Sequence, residues 1–216
     1  MAHVPPLTPD EHRRIADAVA AAEAKTSAEI RVALVEAPLV THAYHPVLWA
    51  ALGALVLPWP AIAVFPIEPL RLLAVQAAAF VLFWGGLALP PVSRRLVPMR
   101  ERRAAARAMV RQLFVGHGMH GTEGRSGLLI LVASRDRIVE ILADANADAA
   151  LGAAAWAEVC RTVTAPAAEG RLADGIVAAV ARAGDLLSGP LPARSGDRNE
   201  LPNAPITLGG EAGGGD

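Results

Sequence analysis

Residues 46–67, PVLWAALGALVLPWPAIAVFPI, and 72–93, LLAVQAAAFVLFWGGLALPPVS, each run for 22 positions without a charged side chain. A helix rises about 1.5 Å per residue, so either segment can cross the roughly 30 Å of hydrocarbon in a bilayer. A core helix of a soluble domain keeps a polar face, and neither segment offers one. The two segments are therefore read as crossings. Pro58 and Pro60 flank Trp59 inside the first, each removing a backbone donor, so a kink is expected there. A re-entrant course would leave broken backbone exposed to lipid. The connection EPLR at 68–71 is short enough to make the pair a tight helical hairpin, with both flanking regions on one side of the membrane.

Arginine indicates which side. Arg94, Arg95, Arg100, Arg102, Arg103, Arg107 and Arg111 follow the second segment, whereas the hairpin tip offers only Arg71. Positive residues are retained on the cytoplasmic face, which predicts an inner-membrane, multi-pass protein with its soluble part and both termini in the cytoplasm. The net charge of −1 and pI near 6.6 give no general basic field for nucleic acid. An arginine cluster beside a span suits anionic lipid headgroups instead, making the bilayer the first expected partner. The spans carry no ionisable residue, which disfavours a transporter or channel. Gly53, Gly85 and Gly86 are small surfaces at which the hairpin could meet a membrane-protein partner or a second copy of itself. Cys160 is the sole cysteine, so no intramolecular disulfide forms and no thiolate metal cluster is available. The opening residues lack the pattern of a cleavable signal peptide.

The flanks supply the elements of one soluble domain. Thr8 and Glu11 stand at capping-box spacing around Pro9, and Ile15, Ala18, Val19 and Ala22 line one face of the helix that follows. A strand from about Glu29 to Glu36 holds Ile30, Val32 and Leu34 on one side. After the hairpin, an alanine- and arginine-rich helix stops at Gly116 or Gly118. The runs SGLLILVA and DRIVEILAD then read as an antiparallel pair joined by SRDR. Two helices close the domain, one carrying Trp156, Val159, Cys160 and Val163, the other Ile176, Val177, Val180 and Leu187. Neither flank is a credible domain alone, so the predicted organisation is a domain split between 1–45 and 94–188, a membrane hairpin at 46–93, and a mobile Pro- and Gly-rich tail at 189–216.

The glycines of GMHGTEGRSG, residues 118–127, invite a phosphate-loop reading. A phosphate loop sits after a strand and before a helix, so that helix-start amides face the anion. Here the order is helix, glycines, strand, and no Gly-Lys-Ser/Thr triplet follows. The glycines are read as a helix stop and a shaped turn presenting Thr122, Glu123 and Arg125.

The segment GTEGRSGLLILVASRDRIVEILAD, preceded by the arginine-rich helix and followed by the helix bearing Trp156, resembles the TPM domain family. The opening LTPDEHRRIADAVAAAEAKTSAEIRVALVEA is similar to the start of that family, and NELPNAPITL in the tail resembles its small membrane-bound branch. The resemblance implies an α/β fold with a central β-sheet and helices on both faces. It implies no settled activity: members are described as acid phosphatases, as calcium binders, and as assembly or repair factors for membrane complexes. Most are exported or lumenal, at odds with the side that arginine indicates here.

Four residues fall at candidate site positions: Glu29 opening the first strand, Thr122 and Arg125 in the glycine turn, and Asp144 after the last strand. If the first and last strands run antiparallel, both carboxylates lie at one edge of the sheet. They could then hold Ca²⁺ or Mg²⁺, which take oxygen ligands, while Arg125 could bind a phosphate oxygen. Equally, Glu29 and Asp144 could cap helices or pair with Arg125, and Asn146 and Asp148 suit a first helical turn. His42 with His45, and His117 with His120, are spaced for metal but lack a third fixed ligand. Cys160 is read as core packing. No catalytic residue is assigned, and no Asp-x-Asp, Cys-x5-Arg or histidine phosphatase signature occurs. The expected function is a membrane-anchored module that binds a partner or a metal, in assembly or maintenance of membrane complexes; the alternative is a metal-assisted acid phosphatase.

Overall fold

The computed structural model describes residues 6–40, 44–60, 68–89, 92, 96–122, 124–194 and 199–209. They divide into two compact units, one built from residues up to Leu39 together with those from Arg103 onward, the other from Val40–Arg102.

The larger unit is a four-stranded mixed sheet with helices on both faces. Helix α1 (Pro9–Glu23) starts at the expected capping box: the Thr8 hydroxyl accepts from Glu11 N–H at 3.3 Å, and the Glu11 carboxylate accepts from Thr8 N–H at 2.8 Å. Strands β1 (Ile30–Val35), β2 (Leu128–Ala133) and β3 (Ile138–Ala143) follow, then helices α5 (Ala145–Ala168), bent at Gly152, and α6 (Leu172–Ser188). The sheet order is β3-β2-β1-β4, where β4 is Ile206–Leu208. Strand β2 pairs antiparallel with β3 and parallel with β1, Ile30 lying opposite Leu128. Parallel neighbours cannot be joined by a tight turn, and the β1-to-β2 connection contains the whole second unit.

Alternation along the strands fills two cores. Ile30, Val32 and Leu34 join Leu128, Ile130 and Val132 against Ile15 and Val19 of α1, Val159 of α5 and Ile176 of α6. Ala33, Val35, Leu129, Leu131 and Ala133 face the other way, against Ala106, Val110 and Phe114 of α4 (Met99–Gly116). Being covered on both faces, β2 reads as a continuous apolar run rather than an alternating one.

Strand β4 corrects the expectation of a mobile tail: Ile206 and Leu208 pack onto the second core, and the strand covers what would be the bare outer edge of β1.

In the second unit, α2 (Tyr44–Val56) and α3 (Pro69–Leu87) pack on each other. A Cβ on Gly53 would lie 3.2 Å from the Phe83 ring, so glycine permits the close approach that small residues give between membrane helices. Tyr44 Oη and His45 Nε2 lie 2.7 and 2.8 Å from Glu101 Oε2. Within the first apolar segment α2 has 13 residues and ends two positions before Pro58, which cannot continue the helical ladder and where a kink is expected. Residues 57–58 form a turn and 59–60 are helical, while 61–67 lie outside the described residues. Among the described residues, α3 alone is long and apolar enough to cross a membrane. No residue of α3 is buried; Leu70 is 78 % exposed and Leu82 75 %.

Candidate functional site

The glycine segment is a chain of turns between α4 and β2. Gly118, at φ +72°, ends the helix, a short 3-10 turn spans Met119–Gly121, and Thr122 is buried beneath it. The Thr122 hydroxyl donates to Met119 O at 3.5 Å and accepts from Ser126 N–H at 3.3 Å, so the local turn consumes it. Ser126 Oγ donates to Ser27 O at 2.8 Å, tying the approach to β2 to the approach to β1. Arg125 sits at φ +44° with a largely exposed guanidinium. Glu123 lies outside the described residues.

Asp144 is the N-cap of α5, its Oδ1 accepting from Ala145 N–H at 2.7 Å. Arg125 reaches the same oxygen at 3.7 Å, and Asn146 Nδ2 donates to Gly124 O at 2.8 Å, stitching the turn to the helix start. Asp144 is 9 % exposed, and its Oδ2 is buried without a hydrogen-bond partner among the described residues. Asp148 falls in the first turn of α5 and accepts from Trp156 Nε1 at 3.0 Å.

Since β1 and β3 run antiparallel with β2 between them, Glu29 and Asp144 do lie at one end of the sheet. Two strand spacings, roughly 10 Å of backbone, separate them, and Glu29 Oε1 accepts instead from Glu200 N–H at 3.2 Å. The structure therefore brings Arg125 of the glycine turn to Asp144 at the α5 N-cap, with Thr122 bonded inside the turn, and directs Glu29 elsewhere. Among the described residues no group of three or more His, Cys, Asp or Glu side chains is arranged to hold a metal ion. His45 is engaged with Glu101, and His42 is not among those residues. Burial pushes the Cys160 thiol up to about 11, so it is no ready nucleophile.

Sequence reasoning missed the surroundings of Glu29. Glu23, Thr26, Glu29, Asn199 and Asn203 line a cavity of about 230 Å³ where the end of α1 meets the tail. Glu23 Oε1 accepts from Ile30 N–H at 2.9 Å, which anchors the start of β1. The Asn203 amide, with its nitrogen inward, donates to Glu23 Oε2 at 3.3 Å. Burial, followed by the neighbouring Glu29 charge, raises the Glu23 carboxyl to about 7, against the opposing effect of the Ile30 hydrogen bond. The NELPN stretch of the tail was the available signal.

The sign of the pH dependence follows. A carboxyl whose folded pKa is raised favours folding when protonated, so this contribution is fully present below about pH 4.5 and is lost as pH rises through about 7. Glu23→Gln keeps an acceptor for Ile30 but cannot ionise. It is expected to flatten that decline, gaining on the order of 1 kcal/mol at mildly alkaline pH once solvent screening is discounted. Urea midpoints of both proteins on either side of neutrality check this; parallel pH profiles would refute it.

A family model described as the TPM domain matches residues 97–186. Residues 97–186 are thus similar to the TPM domain family. The match contains Thr122, Arg125 and Asp144, while Glu29, α1, β1 and β4 lie outside it. The fold is also similar to the NMR structure of BA42 from the psychrophilic bacterium Bizionia argentinensis, with a TM-score of 0.60 and 20 % identity, covering 94 % of this chain and 97 % of that one. No curated protein matches the chain. The matched segment holds α4, β2, β3, α5 and most of α6, and β1 and β4 complete the sheet from outside it.

Proposed function

We propose that the protein is a membrane-anchored TPM module that binds a partner or a divalent cation at the cytoplasmic face of the membrane, serving the assembly or upkeep of membrane complexes. The observation that carries the reading is α3, whose 19 residues present an apolar surface with none of them buried. Sheet pairing adds a parity argument. Strands β1 and β2 are hydrogen-bonded neighbours, so the chain before and after residues 40–102 shares one compartment. If α3 crosses a bilayer, the segment must cross an even number of times, which favours a hairpin completed by α2 and the residues after it. The arginines after α3 favour the cytoplasmic side for the domain. Gly85 and Gly86, where an added Cβ would meet nothing within 4 Å, leave a small-residue surface for a membrane partner or a second copy.

TPM domains suggest a phosphatase-like or metal-related module. The cation reading is favoured here by Asp144 Oδ2, a buried carboxylate oxygen without a hydrogen-bond partner among the described residues. Ca²⁺ or Mg²⁺ would take that oxygen and backbone or water oxygens, with Arg125 swinging outward. The detergent-purified chain should therefore show no metal-dependent hydrolysis of phosphate esters above that of Asp144→Asn and Glu29→Gln. Ca²⁺ or Mg²⁺ should raise its Tm but not that of Asp144→Asn. Metal-dependent turnover lost in variants that remain folded by circular dichroism would establish the phosphatase reading instead.

A further inference from the structure

We infer that the exposed, arginine-bearing flank of α4 is a docking surface for anionic lipid headgroups. Arg103, Arg107, Arg111 and Val115 recur at every fourth position, and all four are exposed. At about 100° per residue each step of four turns the helix only 40°, so these side chains form one stripe about 18 Å long. The neighbouring row of the same helix, Ala106, Val110 and Phe114, is buried against the sheet, so the arginines run along the flank of that contact with their side chains in solvent. Glu101 is the one acidic residue in α4 and already binds Tyr44 and His45. Arg107 has Glu140 at 3.5 Å, yet its side chain stays 63 % exposed.

Charge and apolarity identify the occupant. Guanidinium groups pair with phosphate oxygens in a fixed fork. Val115, 61 % exposed at the end of the stripe, adds an apolar side chain, the combination that seats a helix in the headgroup region. Leu87 and Met99, the facing ends of α3 and α4, are joined by a segment that stretches to at most about 40 Å, keeping α4 within reach of a bilayer crossed by α3. A nucleic acid would need a wider basic field than a chain of net charge −1 provides. The inference rests on the membrane-anchored reading, and its test separates the two.

The full chain with Cys160→Ala and Val115→Cys, labelled with an environment-sensitive fluorophore, is reconstituted into vesicles of phosphatidylcholine alone or mixed with phosphatidylglycerol. Emission should shift blue, and headgroup-labelled lipid should quench it, only when phosphatidylglycerol is present. Three arginines at a charged surface correspond to a preference on the order of a hundred-fold, and high salt should abolish it. Combining Arg103→Glu, Arg107→Glu and Arg111→Glu should remove the response while the chain remains in the vesicle pellet after alkaline carbonate. Emission insensitive to lipid charge and to salt, in a chain that stays in the pellet, would overturn the inference alone; this comparison needs no arginine variant to fold. A chain washed out by carbonate would overturn the membrane-anchored reading and the inference with it.

Discussion

Replacing Ala78 and Leu82 together with arginine is expected to strip the protein from membranes. Both side chains are exposed on α3, one turn apart, and Ala78 is at the midpoint of that helix. Each arginine near the centre of a span costs about 3 kcal/mol on the scale derived from insertion, and losing the leucine removes about half a kcal/mol more. A total of roughly 6 kcal/mol converts near-complete retention into near-complete release. The measurement is the fraction that sediments with membranes after carbonate, beside a control carrying Ala78→Leu. Retention of the double-arginine variant equal to the control would mean that α3 does not sit in hydrocarbon.

Gly127→Val is expected to destabilise the larger unit by about 3 kcal/mol or more. A Cβ at this position would stand 2.5 Å from Met119 O and 3.3 Å from Met119 C, both backbone atoms that no rotamer change can move aside. The carbonyl of Gly127 also accepts the Asp144 N–H at 2.8 Å, so the displacement reaches the α5 N-cap. A fall in Tm of at least 8 °C, on the order expected for a domain of this size, is predicted for Gly127→Val. Gly121→Ala, where the added atom meets nothing within 4 Å, should leave Tm nearly unchanged. Equal effects at the two positions would refute the backbone contact as the cause.

Elements whose signal is local were legible in the sequence. Thr8 and Glu11 announce α1 because both halves of the capping box lie within one turn. Ile30, Val32 and Leu34 announce a strand because alternation is a property of that strand alone. Elements defined by distant partners were not. Strand β4 is three residues in a Pro- and Gly-rich stretch, and it exists because β1 has an outer edge to cover. The cavity joins Glu23 and Glu29 to Asn199 and Asn203, residues that no local pattern could bring together. Thr122 shows a different failure: residue type marked a hydroxyl fit for a ligand, but the turn around it uses both its donor and its acceptor capacity. In the first apolar segment composition runs on through Pro58 while α2 ends at Val56, because proline cannot donate to the helical ladder.

The parallel pairing of Ile30 with Leu128 also sets an order of events during synthesis. When β1 leaves the ribosome its neighbour in the sheet has not been made, and everything between them must first be translated. Closing so long a loop is entropically costly and slow relative to local structure. Helices α2 and α3 can therefore form and pack while β1 is still waiting, and β4, the last of the four strands to be made, covers the outer edge of β1. Chains halted before β2 would carry an unpaired apolar strand, IRVALV, with no sheet to join, the kind of segment chaperones and proteases recognise.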